Sequence, residues 1–217
     1  MNSTPIRAVL LDVDGTLVDT AALLIHSLRH TLQLHLGGDY PDDQLRDLLG
    51  RPLQQQMEHF SLEKAEVMAA EFLRFYEEHK AEEKPFEEAL ALLPWMRSKG
   101  LRVCLVTSKT AGEMVVTGGR FPGLHDVDAV VTSDETQRVK PAPDPAILAL
   151  QKLGVRPNEA IMIGDSPYDI QCGHSAGTLT GAALWGPFPR AKLEPFHPDR
   201  WFTSPEEVRQ FLTAAGA

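Results

Sequence analysis

IRAVLLDVDGT, residues 6–16, is the stretch whose reading decides the fold. Residues 6–11 form a short aliphatic run without strict polar alternation, the pattern of a strand buried on both faces. In an extended segment residues i and i+2 point the same way, so Asp12 and Asp14 share a side while Val13 turns into protein. Gly15 permits a tight bend directly after them. Outward from this stretch, similar runs recur at 101–106 (LRVCLV), 127–131 (VDAVV), 160–163 (AIMI) and 178–185, each closed by a polar or glycine-containing turn. Helical patterns lie between them at 86–99, 111–118, 145–154 and 167–177. Ala146, Ile147, Leu150 and Leu153 keep the helical period and Gly154 supplies the stop. Strand then helix, repeated, predicts an α/β fold with a parallel sheet flanked by helices.

One interval breaks the rhythm. About ninety residues separate Asp12 from the next strand, far more than one crossover helix needs. Helical stretches at 20–36, 42–49, 53–60 and 62–82 fill most of it, so 18–83 reads as an inserted helical subdomain. Residues 61–90 carry nine acidic and four basic side chains, which suits a solvated helix face. His26 and His30 are four apart on one helix, a spacing open to metal binding, yet without an accompanying Glu they read as polar-face histidines. Residues 186–199 contain four prolines and read as a surface loop before a last short strand and a helix at 205–214.

The balance of 21 Lys+Arg against 30 Asp+Glu gives a net charge of −9, which argues against nucleic acid or an anionic membrane as the main partner. A phosphorylated substrate stays compatible with it, because a metal or one lysine can reverse the field inside a pocket. Cys104 and Cys172 form no CxxC pair, so a disulfide framework is not expected and a reducing cytosol is. Cys104 lies within a strand run as a small hydrophobe. Residues 1–7 lack a signal-peptide pattern, and the longest apolar run, 89–96, is broken by Pro94 and falls short of the ~18 residues that span a bilayer. The expectation is a cytoplasmic monomer or homodimer.

In a parallel sheet all strand C-termini share one edge, where ligands collect. Asp12, Thr107, Ser108 and Asp165 all follow such ends. Paired carboxylates there attract a hard cation such as Mg²⁺. Asp169 adds another carboxylate in GDSPYD, although Asp near a helix start also serves as a cap. Lys140, in VKPAPD, is placed to pair with a carboxylate or a phosphate oxygen. The four aspartates bring −4 and Lys140 brings +1, a net −3 that repels a phosphate dianion. One Mg²⁺ reduces it to −1, so a divalent metal is expected to be obligatory.

DVDGTLVDT, LVTSK, VKPAPDP and GDSPYDI together resemble the four motifs of the haloacid dehalogenase-like hydrolase superfamily, over about residues 6–185. The resemblance implies a Rossmann-like parallel sheet core at 1–17 and 84–217 with an inserted α-helical C1-type cap at 18–83. Within the superfamily the chain is similar to phosphoglycolate phosphatases and to a cytosolic pyrophosphatase branch, the latter through LVDTAALLIHSLRHTL, AIMIGDSPYDI and GTLTGAALWG. Ser108 departs from the Asn often found at that place. By this resemblance Asp12 is the nucleophile that forms an aspartyl phosphate, already ionised as a carboxylate of ordinary pKa ~3.9. Asp14 protonates the leaving oxygen and then activates water. Thr107, Ser108 and Lys140 hold the phosphoryl, and Asp12, the Asp14 carbonyl, Asp165 and Asp169 hold Mg²⁺. Arg51, in Gly50-Arg51-Pro52 between two cap helices, is expected to meet a carboxylate or second phosphate on a small phosphorylated substrate. A surface arginine ending a helix is the bland alternative. Trp185, at a strand end, is placed where it could flank the site, but packing is the expected role.

A Mg²⁺-dependent phosphatase is therefore the leading expectation, with an inorganic pyrophosphatase or a sugar-phosphate mutase of the β-phosphoglucomutase type as alternatives. Dehalogenation needs neither Asp14 nor the metal cluster. A phospho-accepting receiver domain carries its Asp after a middle strand and no large insert after the first, and a vestigial binding protein needs no complete set of acid, lysine and metal ligands.

Overall fold

The computed structural model describes residues 5–216. The chain enters through β1 (Ala8–Leu11) and β2 (Val18–Asp19). It then runs through α1 (Ala21–His35), α2 (Asp42–Arg46), α3 (Leu53–Glu58) and α4 (Ala65–His79), and returns through β3 (Lys84–Pro85). There follow α5 (Glu87–Leu90), α6 (Leu92–Ser98), β4 (Arg102–Val106), α7 (Ala111–Arg120), β5 (Ala129–Val131) and α8 (Asp144–Leu153). The last elements are β6 (Ala160–Gly164), α9 (Pro167–Ala176), β7 (Leu179–Ala183), α10 (Arg190–Leu193), β8 (Arg200–Phe202) and α11 (Pro205–Ala214).

Six strands make one parallel sheet in the order β5-β4-β1-β6-β7-β8. The period of two along β1 sorts its side chains. Val9 and Leu11 face a layer with Leu93, Met96, Val208 and Leu212, whereas Ala8 and Leu10 face Ala146, Ala149 and Cys172. Both faces are thus covered by helices, which is why the strand runs are aliphatic without alternation.

The expected helix at 86–99 is broken at Ala91 into α5 and α6. Pro94 lacks an N–H, and its ring would crowd the carbonyl four residues back. The helical excursion between β1 and β4 leaves and returns through a two-stranded antiparallel ribbon, with Val18 opposite Pro85 and Asp19 opposite Lys84. Within the excursion Leu28 and Leu32 of α1 meet Met68 and Phe72 of α4, with Leu45 and Met57 closing the cluster. That cluster continues into Ile170, Ala182, Phe188 and Leu193. The proline-rich segment at 186–199 is therefore more than a surface loop, because burial of Phe188 and Leu193 ties it down. The acidic run is mostly solvated as expected; Glu83 is the exception, buried and bonded to Tyr76 and Arg120. His30 Nε2 donates to Glu71 Oε1 at 2.7 Å and its ring stacks on Phe75, while exposed His26 pairs with Glu82, so the two histidines have separate polar partners. Cys104 and Cys172 are buried free thiols. No helix among the described residues is long and apolar enough to cross a membrane.

Candidate active site

β1 sits between β4 and β6, and the chain winds outward from it in both directions. This is the topological switch point, where the strand C-termini open a crevice. Asp12 is anchored there by its N–H, which donates to the Ile163 carbonyl at 3.0 Å, and Thr107 by its N–H to the Val131 carbonyl at 3.0 Å. After Asp12 the backbone folds back sharply: the N–H groups of Leu17 and Val18 both donate to the Val13 carbonyl, at 2.9 and 3.0 Å. Gly15 makes this bend at φ +80°, and a Cβ there would lie 2.6 Å from Asp165 Oδ2. A side chain at Gly15 would therefore be strained and would displace the neighbouring carboxylate. Thr16 Oγ1 donates to Asp165 Oδ1 at 2.9 Å, and Trp185 Nε1 donates to the Thr16 carbonyl at 2.9 Å. Trp185 thus packs beside the site and also fixes the residue that orients Asp165.

Lys140 is buried and reaches across two strand ends. Its Nζ donates to Asp12 Oδ1 at 2.8 Å, to Asp169 Oδ1 at 2.7 Å and to the Val106 carbonyl at 3.1 Å. Asp169 serves both purposes considered from sequence. Its Oδ2 accepts from the Ser166 N–H and hydroxyl at 3.1 and 2.6 Å, the capping box that starts α9, while Oδ1 faces Lys140.

Asp12, Asp165 and Asp169 can each offer an oxygen within 4.8 Å of the others. Burial pushes the Asp12 carboxyl up to about 7, helped by the Asp169 charge and opposed by Lys140. Burial therefore works against the ionised Asp12 carboxylate expected from the sequence, and Lys140 works for it. Asp165 is likewise raised well above the usual range, by burial first and then by the charges of Asp12 and Asp169. Three buried carboxylates around one ammonium leave an excess of negative charge, and the donors are all hard oxygens. Both features fit a Mg²⁺ ion, with Asp12 and Asp165 as direct ligands. Asp169, whose two oxygens already accept hydrogen bonds, fits a role through water.

Asp14 does not join that cluster. Its Oδ1 lies 3.0 Å from Lys109 Nζ, an ion pair too oblique for an aligned hydrogen bond. Lys109 is buried, and its Nζ also stands 5.5 Å from the centre of the Tyr76 ring. Burial works against its charge, but Asp14 and more distantly Glu83 and Glu113 hold its pKa above the ordinary value. The site therefore carries a second buried cation, and the four aspartates with two lysines come to −2, where −3 was expected.

Thr107 is buried and accepts the Lys109 N–H at 3.1 Å. Ser108 is turned toward the helical excursion, its hydroxyl donating to the Gly50 carbonyl at 2.8 Å. Arg51 is not a free surface residue: its Nε donates to the Tyr168 hydroxyl at 2.6 Å, and Gln56 Nε2 donates to the Arg51 carbonyl at 2.8 Å. A cavity of about 60 Å³ is walled by Asp12, Asp14, Arg51, Gln56, Ser108 and Lys109. A cleft of about 520 Å³ between α4 and α7 shares the wall at Lys109, Phe72 and Glu113. Sequence reading missed Lys109, Thr16 and Gln56. Lys109 follows Thr107 and Ser108 at a strand end, so its position alone marked it for the same edge of the sheet.

The family model described as haloacid dehalogenase-like hydrolase matches residues 9–183. Pyrophosphatase PpaX of Bacillus cereus is 35% identical over 196 residues, covering 89% of this chain and 90% of that protein. The crystal structure of a predicted phosphoglycolate phosphatase from Haemophilus somnus superposes with a TM-score of 0.84 at 19% identity, over 95% of this chain and 97% of the other. A protein from Bacteroides vulgatus provisionally named β-phosphoglucomutase superposes with a TM-score of 0.84 at 24% identity, over 99% and 91%. These two likenesses concern the fold; the family match and the PpaX relationship extend to the sequence over most of the chain, and the chain belongs to the haloacid dehalogenase-like hydrolases.

Proposed function

We propose that this protein is a Mg²⁺-dependent phosphohydrolase of the cytoplasm that cleaves a small phosphorylated compound through an aspartyl phosphate on Asp12. In this reading 1–17 and 84–217 form the catalytic core and 18–83 the cap. The observation that carries it is Lys140 bonded to both Asp12 and Asp169 at the switch point, with Asp165 in the same cluster. Lys140 holds the Asp12 carboxylate in one orientation for in-line attack, the positioning on which phosphoryl transfer chiefly depends. An Asp12 oxygen bonds to phosphorus as the bond to the leaving oxygen breaks, and Asp14 gives that oxygen its proton. Asp14 then takes a proton from water as the water oxygen attacks phosphorus, which frees inorganic phosphate and restores Asp12. Thr107 and Lys140 face the transferring group. Mg²⁺ would supply positive charge against the negative charge of the site and the phosphoryl group. Asp12 and Asp165 would hold it, with the Asp14 carbonyl.

Inorganic pyrophosphate is the second reading of the substrate. It is favoured by the sequence relationship to PpaX and by the small cavity that Arg51 walls, where a second phosphate would find a guanidinium. The test is phosphate release from pyrophosphate, phosphoglycolate, sugar phosphates and nucleotides, with Mg²⁺ or with EDTA, beside Asp12→Asn. Release that needs the metal and falls by roughly 10⁴–10⁶-fold in Asp12→Asn is expected, the scale of losing a covalent nucleophile. Release that survives in Asp12→Asn would overturn the aspartyl-phosphate route, and isomerised product without free phosphate would make the protein a mutase.

A further inference from the structure

We infer that Lys109 is the positioning residue of Asp14, held in a socket that Tyr76 of α4 completes. The inference rests on the proposed role of Asp14 as general acid.

Each of the two carboxylates after β1 has its own buried lysine, and the two lysines come from different places. Lys140 holds Asp12 at 2.8 Å, and Lys109 holds Asp14 at 3.0 Å. The backbone of Lys109 is itself fixed: its N–H donates to Thr107 Oγ1 at 3.1 Å and its carbonyl accepts the Ser133 N–H at 2.9 Å. A general acid must lie within about 2.6–3.2 Å of the oxygen it protonates. Asp14 has no hydrogen-bond partner for Oδ1 apart from this ion pair, and it stands beside Gly15 in a tight bend. The ammonium is the charged group that restrains the Asp14 carboxylate. The ion pair through Oδ1 therefore fixes the direction in which the Asp14 carboxylate points.

The lysine depends in turn on the excursion. Tyr76 of α4 presents its ring to the ammonium, a cation–π arrangement. The Tyr76 hydroxyl donates to Glu83 Oε1, and Arg120 of α7 donates to Glu83 Oε2. Glu83 is buried at the return of the excursion, next to β3. A chain of contacts therefore runs from α7 through the hinge carboxylate and α4 to Lys109 and Asp14. Lifting α4 away would strip the ring from the ammonium.

The test compares leaving groups. p-Nitrophenolate departs as a stable anion and needs little protonation, whereas an alkoxide needs the acid, so kcat/KM for glycerol phosphate relative to p-nitrophenyl phosphate reports how well Asp14 delivers its proton. General acid catalysis contributes roughly 10²–10⁴-fold. Asp14→Asn defines the signature by lowering this ratio, and Lys109→Met is expected to lower it by about 10²-fold, with Lys109→Arg recovering about tenfold of that. Tyr76→Leu is expected to shift the ratio the same way by roughly tenfold, the effect of a misplaced rather than a missing group. Equal loss on both esters in Lys109→Met would reduce Lys109 to a structural residue and overturn the inference. If that variant does not fold, the Lys109→Arg and Tyr76→Leu ratios decide, and unchanged ratios in both would overturn it. A wild-type protein that releases no phosphate from either ester removes the phosphatase reading and this inference together; a wild-type protein active on both isolates the inference.

Discussion

The floor of the site and the helical excursion above it are held by opposite means. On the floor, Asp12 and Asp165 follow β1 and β6, Asp169 lies in the first turn of α9 and Lys140 precedes α8; all four are buried, and their bonds join segments far apart in sequence, Thr16 to Asp165 and Lys140 to Asp12 and Asp169. Above it, the excursion is stabilised by exposed, mostly local pairs: Arg74 with Glu71 and Glu78, Lys80 with Glu77, Arg46 with Asp43. Exposed pairs contribute little individually, so the excursion depends on the apolar contact of α1 with α4. The floor stores electrostatic cost in a fixed geometry, which suits the proposed chemistry, and the weaker contacts of the excursion suit the proposed role of a cap. If this contrast holds, floor substitutions change kcat and stability, whereas substitutions above it, the Tyr76 contact to Lys109 apart, change KM or stability slightly.

Lys140→Met should have the largest effect. It leaves Asp12 and Asp169 facing each other without the shared ammonium, and breaking a buried pair of this kind costs about 3–5 kcal/mol. Chemical denaturation in EDTA reads the loss directly, and kcat should fall by roughly 10²–10³-fold with the removal of one stabilising charge. A variant of wild-type stability would mean that the buried charges relax more freely than the hydrogen bonds imply.

Gly164→Ala follows. A Cβ at the end of β6 would lie 2.3 Å from Asp169 Cγ, a contact that must push the carboxylate aside. Overpacking costs about 1–3 kcal/mol, and a displacement near 1 Å costs on the order of 10²-fold in rate. The expected outcome is a folded protein with a lower kcat and a smaller response to added Mg²⁺, measured by metal titration of activity.

Arg51→Ala tests the other side of the contrast. Loss of one charged contact to substrate is worth about 1.5–3 kcal/mol, which is roughly 10–100-fold in KM, with kcat within a few-fold. A large fall in kcat instead would place Arg51 with the floor and erase the distinction between the two regions.

The floor was legible in sequence because its parts follow strand ends, and a parallel sheet brings strand ends to one edge whatever the intervening lengths. Asp12, Thr107 and Asp165 needed only that rule. Lys140 follows no strand end and was placed instead by its setting in VKPAPD, where two prolines stiffen the segment. What escaped depended on side-chain burial from outside the edge. The Lys109 ammonium lies between Asp14 and the Tyr76 ring, and no local pattern couples a helix near residue 76 to a loop near 109. Glu83 looked like one more member of an acidic run, yet burial beside Tyr76 and Arg120 gives it a different role from its solvated neighbours. Phe188 and Leu193 were hidden by the prolines around them, which mark a loop but say nothing of what it covers.

The smallest effect is one of pH, and it has opposite signs in the two regions. Hydrogen bonds from Arg74 and His30 draw the Glu71 carboxyl down to about 2. Its stabilising contribution is full above its ordinary value of 4.5 and is lost as pH falls toward 2, because the unfolded chain takes up the proton first. Burial raises Asp12 from 3.8 to about 7, so the folded state takes up its proton first. Its contribution therefore becomes less favourable as pH rises from 3.8 toward 7. Thermal unfolding in EDTA, compared between wild type and single variants, separates the two. The stability advantage of wild type over Glu71→Gln should shrink on acidification below 4.5, while the advantage of Asp12→Asn over wild type should grow between pH 4 and 7. Parallel trends in the two variants would show that one field governs both carboxylates, and the division between a costly floor and a freely exchanging upper region would no longer explain either.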